Sequence, residues 1–220
     1  MDAFFAAVKT GDVAGVRRRL AEDPALATAR DESGATGLLL AMYRGRAEVA
    51  AAIRERHHEL DAFEAAAYGD LARLRALVEG DPALANAVAP DGFSPLGLAA
   101  FFRHEACVAY LLERGADPSA ASRNEMRVTP LHSAVAVGHA GIARALIEAG
   151  AAVGARQRHG WTPLHGAADS GDLETVRLLL ERGADPSATH DGGKTALDVA
   201  REKGHAGVAA LLEERRVRRE

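Results

Sequence analysis

Polar and apolar residues alternate along the chain in short helical runs separated by glycine. In "GWTPLHGAADSGDLETVRLLLERGADPSA", Thr162 precedes Pro163, the pairing of a capping hydroxyl with a first helical residue that needs no N–H donor. The spacing predicts a short helix ending near Gly171 and a second one beginning at about Asp172. On that second helix Val176, Leu179 and Leu180 recur at helical intervals, and Gly183 supplies the left-handed residue that stops it. Small Ala167 and Ala168 let neighbouring helices approach closely. One unit is therefore helix, turn, helix and a polar loop containing glycine.

The unit recurs. "VTPLHSAVAVGH" (Val128 to His139), "WTPLHGAADSGD" (Trp161 to Asp172) and "KTALDVAREKGH" (Lys194 to His205) place an anchoring leucine at Leu131, Leu164 and Leu197. "SPLGLAAFFRHE" adds Leu96, "TGLLLAMYRGR" adds Leu38, and weaker copies start at Phe4 and Ala62. Three residues after each anchor stands an alanine: Ala7, Ala41, Ala65, Ala99, Ala134, Ala167 and Ala200. Repetition on this scale is the mark of a stacked solenoid.

The pattern T-P-L-H-x-A-A, then G-H or G-D, then V-x-x-L-L-x-x-G-A-D resembles the ankyrin repeat. In graded form it covers nearly the whole chain and is strongest from Gly92 to Glu213. The resemblance implies an all-α solenoid of about seven helix-turn-helix repeats with β-hairpin fingers, near 1–30, 31–58, 59–88, 89–121, 122–156, 157–189 and 190–215 of a single domain spanning 1–220. It also implies partner binding along the concave face and finger tips. Ser119 and Ser187 stand where the family usually has Asn, and Gly37 and Ala196 replace the Pro.

Successive anchors lie 34, 24, 34, 35, 33 and 33 residues apart. The short interval falls at "RERHHELDAFEAA" (Arg54 to Ala66). Aligned on the sixth unit, the outer helix of the second ends at His57, a position where His tolerates left-handed backbone and meets the helix dipole. Asp61 then caps the next helix, with Glu64 completing a capping box. The finger between the second and third units is expected to be missing, leaving a notch near Tyr43 and Tyr68. The segments Phe5 to Leu38 and Phe63 to Leu96 match at an offset of 58, including "DPALA" at Asp23 and at Asp81, so the N-terminal half reads as a duplicated two-unit block whose seam is the histidine pair.

Composition narrows the function classes. Of 220 residues, 48% are hydrophobic and 26% charged, with a net charge of −4; this is a soluble folded chain without the basic excess that recruits nucleic acid or an anionic membrane. Arg215, Arg216, Arg218 and Arg219 read as a solvated helix end. A single cysteine, Cys107, leaves no disulfide framework and fits a cytoplasmic setting. No leader or membrane span is expected. Only Lys9, Lys194 and Lys203 of the 27 basic residues are lysines, which with abundant Ala and Arg suggests a GC-rich bacterial gene.

Candidate chemistry is sparse. His132 and His165 fill the T-P-L-H slot, and His104, His139 and His205 fill the G-H slot, all structural by register. Adjacent His57 and His58 point apart on a helix, unlike the i, i+4 ligands of a zinc helix, so no metal or other cofactor is expected. "DGGKT" (Asp191 to Thr195) lacks the upstream glycine of a phosphate loop. Ser170 and Cys107 have no nucleophile constellation around them. The alternatives are a small-molecule or metal-responsive regulator using His57, His58, His159 and His190, and an enzyme or an accessory subunit of one.

Aromatics and arginines concentrate in the slots from which the resembling family contacts partners: Tyr43, Arg44, Tyr68, Phe93, Phe101, Phe102, Arg158, His159 and Trp161. Such residues are the usual interface anchors. The finger "SRNEMRVT" is two residues longer than its neighbours, with Arg127 in place of the usual glycine, so Met126 and Arg127 are expected to protrude. The sequence reads as a monomeric, non-catalytic module binding a protein or peptide.

Overall fold

The computed structural model describes residues 1–57 and 59–217. His58 and the arginines at 218 and 219, named above, lie outside the described residues. Among the described residues fourteen α-helices follow in chain order: α1 (Asp2–Thr10), α2 (Val13–Glu22), α3 (Gly37–Tyr43), α4 (Ala47–Arg54), α5 (Ala62–Tyr68), α6 (Leu71–Gly80), α7 (Pro95–Phe101), α8 (Glu105–Glu113), α9 (Pro130–Ala136), α10 (Ala140–Glu148), α11 (Pro163–Ser170), α12 (Leu173–Glu181), α13 (Ala196–Glu202) and α14 (Ala206–Val217). Each odd-numbered helix packs on its successor, and the odd-numbered helices stack one upon the next along the chain. The stack is thinnest where α3 meets α5.

The repeating pattern explains the core. Phe4, Leu38, Ala62, Leu96, Leu131, Leu164 and Leu197 are all buried, as are the seven alanines three residues beyond them. Alanine at that slot leaves room for the next inner helix, and the long apolar residues of the outer helices, such as Leu74, Leu111 and Leu179, close the layer behind. Gly171 (φ +72) and Gly183 (φ +88) adopt the left-handed conformation that ends each helix of the sixth pair. Gly37, where the pattern has Pro, lies under the Phe4 ring; a Cβ there would come within 2.7 Å of it.

Tight turns precede the inner helices. Their closing bonds run from the Asp31 N–H to Ala35 O (2.9 Å), Ala89 to Phe93 (2.9 Å), Ser122 to Val128 (2.8 Å), Gln157 to Trp161 (2.9 Å) and His190 to Lys194 (3.1 Å). Among the described residues, β pairing amounts to single antiparallel bridges, Arg30 with Thr36 and Thr189 with Thr195. The legs of each turn are too short to carry a ladder. Neighbouring turns are instead stitched tip to tip: the Arg123, Arg158 and Asp191 N–H groups donate to Gly92 O, Met126 O and His159 O at 2.8, 2.9 and 2.9 Å.

The duplicated block repeats in three dimensions. Asp23 and Asp81 each accept from the N–H two residues on at 3.1 Å, starting 3₁₀ turns at Pro24–Ala27 and Pro82–Asn86. Gly11 and Gly69 are left-handed, at φ +84 and +81.

Between the second and third pairs, two expectations need correction. Helix α4 ends at Arg54 rather than His57. The His57 backbone is not left-handed; among the described residues only Arg103, Arg127 and His159 combine a side chain with positive φ. His57 turns inward to 7% exposure because its ring has a partner there: Nε2 donates to Glu64 Oε2 at 2.7 Å. Glu64, 1% exposed, occupies the capping-box position that His132 and His165 hold in their own helices. It accepts from the Thr36 hydroxyl at 2.7 Å and from the Asp61 N–H at 3.3 Å. Asp61 caps α5 as predicted, with its side chain accepting from the Glu64 N–H at 2.8 Å.

The row of turns is also not left open. Gly34 abuts the turn at Pro90 so closely that a Cβ would come within 2.7 Å of the Pro90 carbonyl carbon. Omitting one turn brings its neighbours together, and a residue without a side chain permits the approach. The short connector is held by side chains instead: Arg54 donates to His57 O (2.6 Å), Arg73 to Leu60 O (2.9 Å) and Arg30 to the Asp61 carboxylate (2.9 Å).

Candidate functional site

The inner helices α7 and α9, with the turns that precede them, enclose an apolar groove of about 410 Å³. Helix α3 contributes Tyr43, α7 contributes Leu98 and Phe101, and α9 contributes Ala136. Phe93, Met126 and Val128 come from the turns. A step in size along the stripe makes the space. Ala136 stands two residues before the Gly138-His139 pair, the place Phe101 holds before Arg103-His104. Phe101 is 38% exposed and Met126 45%, so both offer apolar surface to a partner.

An aromatic cluster forms one end. The Tyr43 ring stacks on Phe102 at 5.7 Å and lies 6.1 Å from Phe93, and Phe101 meets Phe102 edge-on at 5.1 Å. The Tyr43 hydroxyl donates to Asp91 Oδ2 at 3.0 Å. Burial, reinforced by the Asp91 carboxylate, holds the phenol well above its ordinary range, so it acts as a fixed donor. Tyr43, Phe93 and Phe102 pack around Ala35, Leu39, Ala67 and Leu98, a small second core that fills the seam.

The wall of the groove is uncharged. His132 lines it, but both ring nitrogens are engaged: Nε2 donates to Trp161 O at 3.2 Å, and Nδ1 accepts from the Thr129 hydroxyl at 2.8 Å. Burial pushes its pKa down to about 4, against the smaller opposing effect of the Trp161 carbonyl. His165 repeats the arrangement with Lys194 O at 3.1 Å and Thr162 at 2.9 Å, its pKa likewise lowered by burial. Both histidines thus serve the structural role that their register in the T-P-L-H slot implied.

Charge gathers on the rim. Arg44, Arg103, Arg127 and Arg158 are exposed and adjoin or nearly adjoin the lining residues Tyr43, Phe101, Met126 and Gln157. Arg103 (φ +67) and Arg127 (φ +51) hold left-handed positions that glycine fills in other units. Arg158 lies 3.8 Å from Glu125, whose side chain is 90% exposed.

The other predicted residues lie elsewhere. Tyr68, 42% exposed, lines a second hollow of about 410 Å³ with Met42, Ala50, Ala51, Phe102 and His104, and Arg54 lies over its ring at 5.8 Å. Trp161 stacks flat on His190 at 5.4 Å, and His159 sits exposed at a turn tip with φ +62. Sequence reasoning did not include Leu98, Val128 or Ala136 in the binding set. The large-to-small step from Phe101 to Ala136 was the available sign.

Among the described residues the other candidate groups lie apart from one another. Among the described residues no three His, Cys, Asp or Glu side chains are grouped to hold a metal ion. His190 Nδ1 accepts from the Gly192 N–H at 2.8 Å, and "DGGKT" forms the last turn, with Thr195 capping α13. Cys107 is buried, and burial together with Asp70 pushes its thiol up to about 11. The Ser170 hydroxyl donates to Ala167 O at 3.2 Å. No described helix is long and apolar enough to cross a membrane.

Comparison with known proteins agrees with the architecture. A family model described as "Ankyrin repeats (3 copies)" matches residues 62–157, 121–190 and 154–218. No curated protein matches the chain.

Proposed function

The chain belongs to the ankyrin repeat family, and from that premise we propose that it is a non-catalytic interaction module that holds a protein partner on the inner-helix face and turn tips between α3 and α11. Ankyrin repeats are generally protein-binding modules, and no enzyme family matches. The observation that carries the reading is the groove itself, an apolar trough with exposed Phe101 and Met126 at its mouth and exposed arginines on its rim. A buried apolar centre within a polar, arginine-bearing rim is the usual anatomy of a protein interface.

The binding set is accordingly centred on Phe101, Met126, Arg127 and Arg158, with Tyr43, Phe93 and Phe102 supporting it from beneath. Arg44 extends the rim at one end, and His159 and Trp161 flank it at the other; Tyr68 serves a separate surface. The test is capture of partners from lysate, read by mass spectrometry. Phe101→Ala and Met126→Ala should each weaken retention of the same partner by about 1 kcal/mol or more, with the circular dichroism unchanged. Undiminished capture by the double variant would remove the groove from the binding surface.

A further inference from the structure

We propose that the groove receives an aromatic or long aliphatic side chain from an extended acidic peptide segment, whose carboxylates lie along the arginine rim. The inference rests on the reading of this face as a binding surface and adds the chemistry of what binds.

Two features select the occupant. The first is the lining. Its imidazole already spends both nitrogens on Thr129 and Trp161, so the wall offers few free polar groups. Small-molecule sites orient their ligands with several placed donors and acceptors; this one suits an apolar side chain whose own backbone remains outside.

The second is the charge at the mouth. The protein is acidic overall, at −4, yet the turn tips at 124–127 and 157–160 carry exposed Arg127 and Arg158 against the single acid Glu125; Arg123 lines a separate hollow and Arg156 donates to Thr189 O. At the other end of the inner helices, exposed Arg44 and Arg103 follow the lining residues Tyr43 and Phe101 in the chain. The nearest buried carboxylate, Asp91, is committed to Tyr43. Arginine forks bind carboxylates in two-point geometry, and a local positive field in an acidic protein selects acidic partners and repels basic ones.

The experiment uses the whole chain, immobilised and panned against a phage-displayed random dodecapeptide library, with enriched sequences synthesised and their affinity measured by fluorescence anisotropy. The expected winners carry Asp or Glu on either side of an aromatic or long aliphatic residue. Their binding should fall about tenfold or more on Arg127→Glu with Arg158→Glu, weaken as salt is raised, and be lost on Ala136→Trp, which fills the groove from an exposed position. Met126→Ser replaces the latter if its circular dichroism departs from the parent's. Neutral or basic winners that the groove variants abolish would overturn the acidic assignment and leave the binding face standing. Acidic winners indifferent to the groove variants, or no enrichment, would overturn both.

Discussion

Replacing Glu64 by alanine removes one side chain and strands three donors. The Thr36 hydroxyl, the His57 ring N–H and the Asp61 N–H all point at its carboxylate, and Thr36 and His57 are 2% and 7% exposed, so water does not readily replace the acceptor. A buried donor left unsatisfied costs about 1–3 kcal/mol. With Asp61 half-buried and able to find water, the expected loss is about 3 kcal/mol, or about 6–12 °C in melting temperature for a chain of this size. The loss falls where the stack is thinnest, and in a solenoid each pair holds on only to its neighbours. Pairs α1 to α4 should therefore melt ahead of the rest. The chain has a single tryptophan, Trp161, at the far end from the seam, so its fluorescence follows the later pairs while far-ultraviolet circular dichroism follows all of them. In urea, Glu64→Ala should pull the two transitions apart, whereas the parent's run closer together. Thr36→Val removes both its bond to Glu64 and the cap it gives the Leu39 N–H, so it should cost about 2 kcal/mol alone but only about 1, the cap's share, on top of Glu64→Ala. Coincident transitions with a loss under about 1 kcal/mol would refute the idea that this carboxylate replaces the missing turn.

Two further outcomes are expected. The His132 imidazole titrates at about 4 in the fold against an ordinary 6.5, so the unfolded chain binds the proton first as pH falls. Its stabilisation is full above about pH 6.5 and is lost progressively toward pH 4, by about 2–3 kcal/mol; urea midpoints measured across that range should fall less steeply in His132→Asn, and an equal slope would argue against it. Gly34→Ala combines a left-handed residue with a Cβ 2.7 Å from Pro90 backbone and should cost well over 1 kcal/mol. Gly45→Ala, at φ +63 with nothing within 4 Å, should cost only about 1, and equal melting temperatures for the two would show that the turns do not abut.

Much of this architecture was legible from spacing. The leucine and alanine positions, the Asp61 cap with its Glu64 box, the His132 and His165 bonds and the long turn at "SRNEMRVT" are local features whose partners lie within one unit or at a fixed offset. What the sequence obscured was long-range. Aligning His57 on Gly183 suggested left-handed backbone, since nothing in the adjacent residues discloses a carboxylate waiting seven positions on. The expected notch assumed that removing a turn leaves a space; the closure depends on Gly34 and Pro90 meeting across two units. Tyr43 looked like a surface anchor for the same reason, as its bond to Asp91 spans that seam. The groove was only partly visible because it is made by what is small, Ala136 and Gly97, as much as by the aromatics that drew attention.

The side-chain bracing of the His57–Asp61 connector bears on how such a chain grows. Where one Thr-Pro-Leu-His cap follows another, each unit presents the same donor and acceptor to its neighbour, so whole units can be duplicated, deleted or transplanted without redesigning a boundary. The seam is different: Thr36, His57 and Glu64 are three parts of one lock drawn from both sides. An evolutionary insertion there would separate the parts, which makes the first two units a fixed head and the units from α7 onward the region free to lengthen.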